Sequence, residues 1–271
     1  MTAINPKMQA VYASAFEHPN GLIHLFEAGS ALHGATADNA KSDLDIAGVF
    51  IEPEEFVYGL SKYEHFVSST AGDNRRNTSD DVDITLYSLR RWTQLAAKGN
   101  PTALSFLWAP NAFDCYGVYP AYWWNGVKKY MAGELVCKRS VNSFRGFVTD
   151  QMKRLLGLKG QGKHGQRPEL EVAHGYDTKA AMHAVRLCGE GIELMQTGHI
   201  TYPRPNVDEL KAVRRGDFSL DRVNSRVSSL LIELETAEQE STLPEKPNFK
   251  QLDRMLIESY KSYYRRLDSC R

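Results

Sequence analysis

The chain has 271 residues, 42% hydrophobic and 24% charged, enough to bury a core as one large domain or two smaller ones. Lys+Arg and Asp+Glu both number 33, so bulk charge marks neither a general nucleic-acid binder nor an acidic surface protein. No apolar run approaches the roughly 18 residues of a membrane span, and the N-terminus carries no apolar signal segment, so the expectation is a cytoplasmic protein.

Met8 to Phe16 has a weak helical period and stops at the turn cluster Pro19-Asn20-Gly21. Leu22 to Ala28 is apolar and predicts a buried strand. Gly29 to Lys41 is small and polar, with too few apolar residues for a long packed helix. Leu44 to Ile51 predicts a second strand closed by Pro53, and Tyr63 to Ser69 a weaker third. Ala71 to Asp80 has the composition of an exposed loop. Asp81 to Tyr87 alternates polar and apolar, as a half-buried strand does, and Ser88 fits the N-cap of a helix from Leu89 to Lys98. Gly99-Asn100-Pro101 ends that helix and opens another, Thr102 to Trp108.

From Tyr119 onward the helical period takes over. Helices are expected at Tyr119 to Met131, Leu135 to Leu156, Thr178 to Thr197, Val207 to Arg214, Ser219 to Gln239 and Lys250 to Arg266. Gly157 to Gly165, rich in glycine and lysine, has the composition of a mobile connector. The fold class is therefore α+β: a small mixed sheet with flanking helices over residues 1–118, then a helical region over 119–271.

Charge is uneven along this plan. Residues 128–167 hold ten basic side chains against Glu134 and Asp150, whereas Ala35 to Asp83 tilts acidic. That asymmetry suits a metal site beside a polyanion-binding surface, or simply solvated helix faces. Cys115, Cys137, Cys188 and Cys270 include no Cys-x-x-Cys pair, so neither a zinc site nor a disulfide framework is indicated.

The chemistry concentrates in the front region. Asp43 and Asp45 are two apart on a strand and so share a face. Two such carboxylates repel each other unless a cation lies between them, which points to a divalent metal. Asp83, on the later strand, supplies a third acid, with Asp81 on the same face as its competitor. Three carboxylates on neighbouring strands can hold two Mg²⁺ ions, one activating a hydroxyl and one clamping a triphosphate. Gly29-Ser30 adds a turn where backbone N–H groups approach closely and a hydroxyl can meet phosphate oxygen.

In the back region, Lys179, His183 and Arg186 fall on one helical stripe beside the small residues Ala180, Ala181 and Ala184, with Asp177 or Thr178 as N-cap. This stripe either faces a triphosphate or is an ordinary solvated face. Trp92, Trp108, Trp123 and Trp124 suit packing better than base stacking, and so does Tyr87. His33 lies in the candidate phosphate loop, where it either contacts nucleotide or is incidental. Lys159, Lys163, His164 and Arg167 form either a nucleic-acid clamp or a solvated linker.

These residues together resemble the DNA polymerase β-like nucleotidyltransferase superfamily, marked by a Gly-Ser turn, an Asp-x-Asp pair and a later acid. The likeness is to the branch that includes RNA-repair-associated proteins. It runs through Gly29-Ser30 to Gly34, Ser42-Asp43-Leu44-Asp45 to Phe50, Asp83 to Arg90, Gly99-Asn100-Pro101, Gly175 to His183 and Arg214-Arg215-Gly216. The resemblance implies transfer of an NMP from an NTP to a hydroxyl with Mg²⁺ and release of pyrophosphate. Asp43, Asp45 and Asp83 would be catalytic and metal-binding; Gly29, Ser30, Ser42, Lys179, His183 and Arg186 would bind nucleotide. A nucleic-acid end, RNA first, is the expected acceptor. Nucleotidylation of a protein or small molecule, and a catalytically idle nucleotide or RNA sensor, stay open.

Overall fold

The computed structural model describes residues 21–36, 43–71, 78, 81–110, 121–158 and 167–269. The expected N-terminal helix, Ser42, most of the glycine- and lysine-rich connector, and the boundary near residue 118 lie outside these described residues.

Four strands form one sheet: β1 (Leu22–Glu27), β2 (Leu44–Phe50), β3 (His65–Ser69) and β4 (Val82–Ser88), in the order β1-β2-β4-β3. β1 runs antiparallel to β2 and β3 antiparallel to β4, while the central pair is parallel with Asp45 opposite Asp83. Alternation assigns the faces. Ile46, Phe50, Ile84 and Leu86 build a small core on one side; Phe26, Ala47 and Val49 join the main core on the other. Asp45 shares the side of Ala47 and Val49 by parity, so its carboxylate lies on the helix-covered face.

Short helices connect the strands: α1 (Gly29–Leu32) follows β1 and α2 (Glu54–Tyr58) follows Pro53. Ser88 and Asn100 cap α3 (Leu89–Ala97) and α4 (Pro101–Ser105), each side chain accepting an N–H bond; the Ser88 cap is the one the sequence predicts. Trp92 is fully buried, and its indole donates to the Ala103 carbonyl at 2.8 Å, so it serves packing.

The helical region comprises α5 (Ala121–Leu135), α6 (Ser140–Leu155), α7 (Pro168–His174), α8 (Thr178–Thr197), α9 (Val207–Arg215), α10 (Leu220–Glu240) and α11 (Phe249–Ser269). The 20-residue α8 is central, packed against α6, α9 and α10. Asp177 is its N-cap, accepting from the N–H groups of Lys179 and Ala180, and Gly198 at φ 70° terminates it.

The helices depart from expectation at a boundary and in two short elements, α2 and α7. The helix expected to end at Met131 continues to Leu135, and the break falls at residues 136–139. Its cause is non-local: the N–H groups of Lys138 and Arg139 donate to the carbonyls of Pro244 and Glu245. α7 was not anticipated, although Pro168 at its start, Glu169 and Glu171 in its first turn and Gly175 at φ 81° after it are all helix signals.

The last helix closes back on the sheet region. Tyr260 donates to the Glu52 carboxylate at 2.5 Å and Tyr264 to the Glu52 carbonyl at 2.8 Å. The Arg90 N–H donates to the Tyr260 hydroxyl at 3.2 Å. Glu52 is 4% exposed, and loss of hydration raises its pKa.

Candidate active site

The site begins with the geometry of β1 and β2. The Ala28 N–H donates to the Asp45 carbonyl at 2.8 Å, drawing the Gly-Ser turn against the acid-bearing strand. Gly29 then adopts φ +61°, a left-handed conformation natural only to glycine. A Cβ on Gly29 would lie 1.9 Å from Asp45 Oδ2, so no other residue fits there without displacing the carboxylate. Ser30 follows in the first turn of α1.

Asp43, Asp45 and Asp83 each present a carboxylate oxygen within 4.8 Å of the others. All three are half-buried. Burial, then Asp43 and Asp83, push the Asp45 carboxyl up to about 6; Lys179 partly opposes them. This crowding suits a hard divalent cation, for which carboxylate oxygens are natural ligands.

Asp81, the competitor for third acid, is engaged elsewhere. Its Oδ1 accepts from the Thr70 hydroxyl at 3.0 Å, and its Oδ2 from the Thr78 N–H and hydroxyl at 2.7 and 2.8 Å. It is 2% exposed and ties the turn ahead of β4.

A cleft of about 380 Å³ opens beside the acids. Gly29, Ser30, Asp43 and Asp45 line one side, and Lys179, His183 and Arg186 of α8 the other. The stripe on α8 therefore lines the cleft, with Lys179 exposed at its edge and His183 and Arg186 half-buried. Its three members differ in state. Loss of hydration, then Arg167 and Arg214, lower the Lys179 pKa, while Asp43 and Asp45 raise it. His183 is held well below its ordinary value by burial and by Arg186 and Lys179, so it is a neutral imidazole. Its Nδ1 is buried without a hydrogen-bond partner among the described residues. Arg186 is already ion-paired, donating through Nη1 to both Glu190 oxygens at 2.8 and 3.1 Å.

Sequence reasoning missed two contributors. Arg214 lines the cleft and donates to the Thr178 hydroxyl at 3.0 Å; only its place in the Arg-Arg-Gly run hinted at it. Glu190 is 1% exposed and pairs with both Arg186 and His33. Its four-residue spacing from Arg186 was visible in the sequence, but its contact with His33 was not. Lys128, counted in the basic stretch, is 8% exposed and donates to the Ala109 carbonyl, so it is no part of an open cationic surface.

A family model described as "RNA repair pathway DNA polymerase beta family" matches residues 3–258. An uncharacterized 38.9 kDa protein from the nrdC-mobD intergenic region of Enterobacteria phage T4 is 26% identical over 185 residues. That stretch is 68% of this chain and 49% of the phage protein, so the chain spans about half its relative's length. A solved nucleotidyltransferase-like protein from Exiguobacterium sibiricum is 13% identical, covering 86% of this chain and 74% of its own, with a TM-score of 0.30. That likeness is too loose to assign any residue.

Proposed function

The chain belongs to the RNA repair pathway DNA polymerase beta family, and on that premise we propose that it is a metal-dependent nucleotidyltransferase acting on the hydroxyl of an RNA end. One observation supports this above the rest. Three carboxylates crowd within 4.8 Å of one another beside a cleft whose far wall carries Lys179 and Arg214. A metal–nucleotide complex answers both walls at once, its cation toward the acids and its phosphates toward the bases.

Asp43, Asp45 and Asp83 would hold the metal, with Mg²⁺ the first choice and two ions the expected number. Bound there, the metal supplies positive charge to the reacting phosphate oxygens. The backbone of Gly29 and Ser30 and the Ser30 hydroxyl bind the β- and γ-phosphates, Ser42 adding a hydroxyl from the approach to β2. Lys179 neutralises the triphosphate from across the cleft. His183, being neutral, contributes a hydrogen bond rather than a charge. Asp83 takes the acceptor's hydroxyl proton as that oxygen attacks the α-phosphorus in line. The bond from α-phosphorus to the bridging oxygen breaks, and pyrophosphate leaves. Catalysis is then mostly positioning and charge compensation.

RNA as acceptor draws on the family's description and on the cationic wall of the cleft. The test is incubation of the protein with labelled NTPs, Mg²⁺ and either a short RNA or a mixture of proteins. Label on RNA supports end transfer, and label on protein supports nucleotidylation instead. Tight NTP binding with no transfer in any mixture supports a sensor and overturns the enzyme.

A further inference from the structure

The Gly29–Ser30 turn is held from two sides. On the sheet side it is pinned to β2 through Ala28 and the close approach of Gly29 to Asp45. On the other side the chain leaving α1 is held by the helical region. The Arg204 N–H donates to the His33 carbonyl at 3.1 Å, and a Cβ on Gly34 would come within 2.9 Å of Pro203. The His33 ring reaches α8, with Nδ1 3.1 Å from Glu190 Oε1 and Nε2 3.0 Å from Arg186 Nη1.

The chemistry of these contacts fixes the protons. A guanidinium only donates, so His33 Nε2 is the acceptor and Nδ1 carries the hydrogen; Nδ1 lies 3.1 Å from Glu190 Oε1, an ion-pair contact rather than a regular hydrogen bond. Glu190 is 1% exposed and needs both partners to tolerate that position. Arg186 spends Nη1 on His33 and Glu190. Among the described residues no hydrogen bond uses its Nη2, and its side chain lines the cleft. One buried carboxylate therefore orients the guanidinium on α8 and tethers the phosphate turn beyond β1.

We propose that Glu190 is a positioning residue for the nucleotide: through Arg186 Nη1 and His33 Nδ1 it sets the Arg186 Nη2 edge and the Gly29–Ser30 turn at the separation that a triphosphate bridges. This rests on the nucleotidyltransferase reading. It assigns Arg186 the role of an anchored hydrogen-bond donor to phosphate, and it gives the neighbouring histidine a role as a strut.

The measurement is a double-mutant cycle on KM for the NTP, with Glu190→Gln, Arg186→Lys and both together, alongside binding of a non-hydrolysable NTP with Mg²⁺ and of Mn²⁺ alone. Glu190→Gln should raise KM about tenfold or more, leave kcat within about threefold and leave Mn²⁺ binding at the acids unchanged. Because Glu190 acts through Arg186, the double variant should be no worse than the worse single one. A purely structural ion pair would be coupled as well, but it would lower kcat and metal binding together with affinity for the NTP. Wild-type KM in Glu190→Gln, or multiplying effects, would overturn the proposal. Where Glu190→Gln fails to fold, His33→Gln reads the same quantity, since it keeps an acceptor for Arg186 and loses the link to Glu190. A wild-type protein that binds the NTP analogue but transfers nothing sinks the enzymatic reading alone, and binding of the analogue then decides this one. A wild-type protein that binds no nucleotide overturns both.

Discussion

Asp45 lines one wall of the cleft and Glu190 is buried behind Arg186 of the other, and their surroundings push these two carboxylates in opposite directions. Burial with Asp43 and Asp83 beside it drives Asp45 up to about 6, whereas Arg186 and His33 outweigh burial and hold Glu190 down at about 2. The Glu190 cluster contains its own counter-charges, and it is complete as the chain folds. At Asp45, Lys179 opposes burial and the neighbouring acids only in part. Like charge crowded in this way stores repulsion that a cation can relieve. The contrast separates a site that binds from a site that supports.

The contrast can be broken most forcefully at the acids. Asp43→Asn with Asp45→Asn should lower nucleotidyl transfer on the order of 10³-fold or more, while the metal-free protein melts no lower than wild type. Wild-type transfer in that variant would remove the metal assignment. The same kind of change on the other wall should act oppositely: Glu190→Ala leaves Arg186 buried without its carboxylate and should cost about 3 kcal/mol of stability, read by denaturant unfolding. Acid should sharpen this. Since Glu190's folded pKa of about 2 lies below its ordinary 4.5, its stabilisation is present in full above about pH 5 and fades as pH falls toward 2. The stability gap between wild type and Glu190→Gln should therefore narrow over that window, and a constant gap would contradict the assignment.

Adding Mg²⁺ or Mn²⁺ should raise the melting temperature of the wild type, by the equivalent of about 2.7 kcal/mol at a hundredfold excess over Kd, and leave the double asparagine variant unmoved. The smallest effect on activity belongs to Asp81→Asn. It loosens the turn held by Thr70 and Thr78 at about 1 kcal/mol and should leave kcat within a few-fold. A large loss of kcat there would make Asp81, not Asp83, the third acid.

Local chemistry made much of this legible. Period-two alternation located β4 and put Asp83 on the polar face, and Ser88 and Asp177 announced the helices they cap. The acid trio could be anticipated because parallel pairing of β2 with β4 brings Asp45 opposite Asp83. Asp81 could not be excluded by parity, since its partners Thr70 and Thr78 reach it through a turn rather than through the strand. Arg186 was read as a phosphate ligand, while its ties to Glu190 and to His33, 153 positions away, could not be weighed. The break at 136–139 was misplaced for a similar reason, because the carbonyls that satisfy it come from residues 244 and 245.

The grip of Tyr260 and Tyr264 on Glu52 has a practical corollary. A truncated version stopping before residue 260 would strand a dehydrated acid next to the acid-bearing strands, with its hydroxyl donor gone. The front region is therefore a poor candidate for expression as a minimal fragment or for grafting onto another scaffold, because the tail is part of its upholstery.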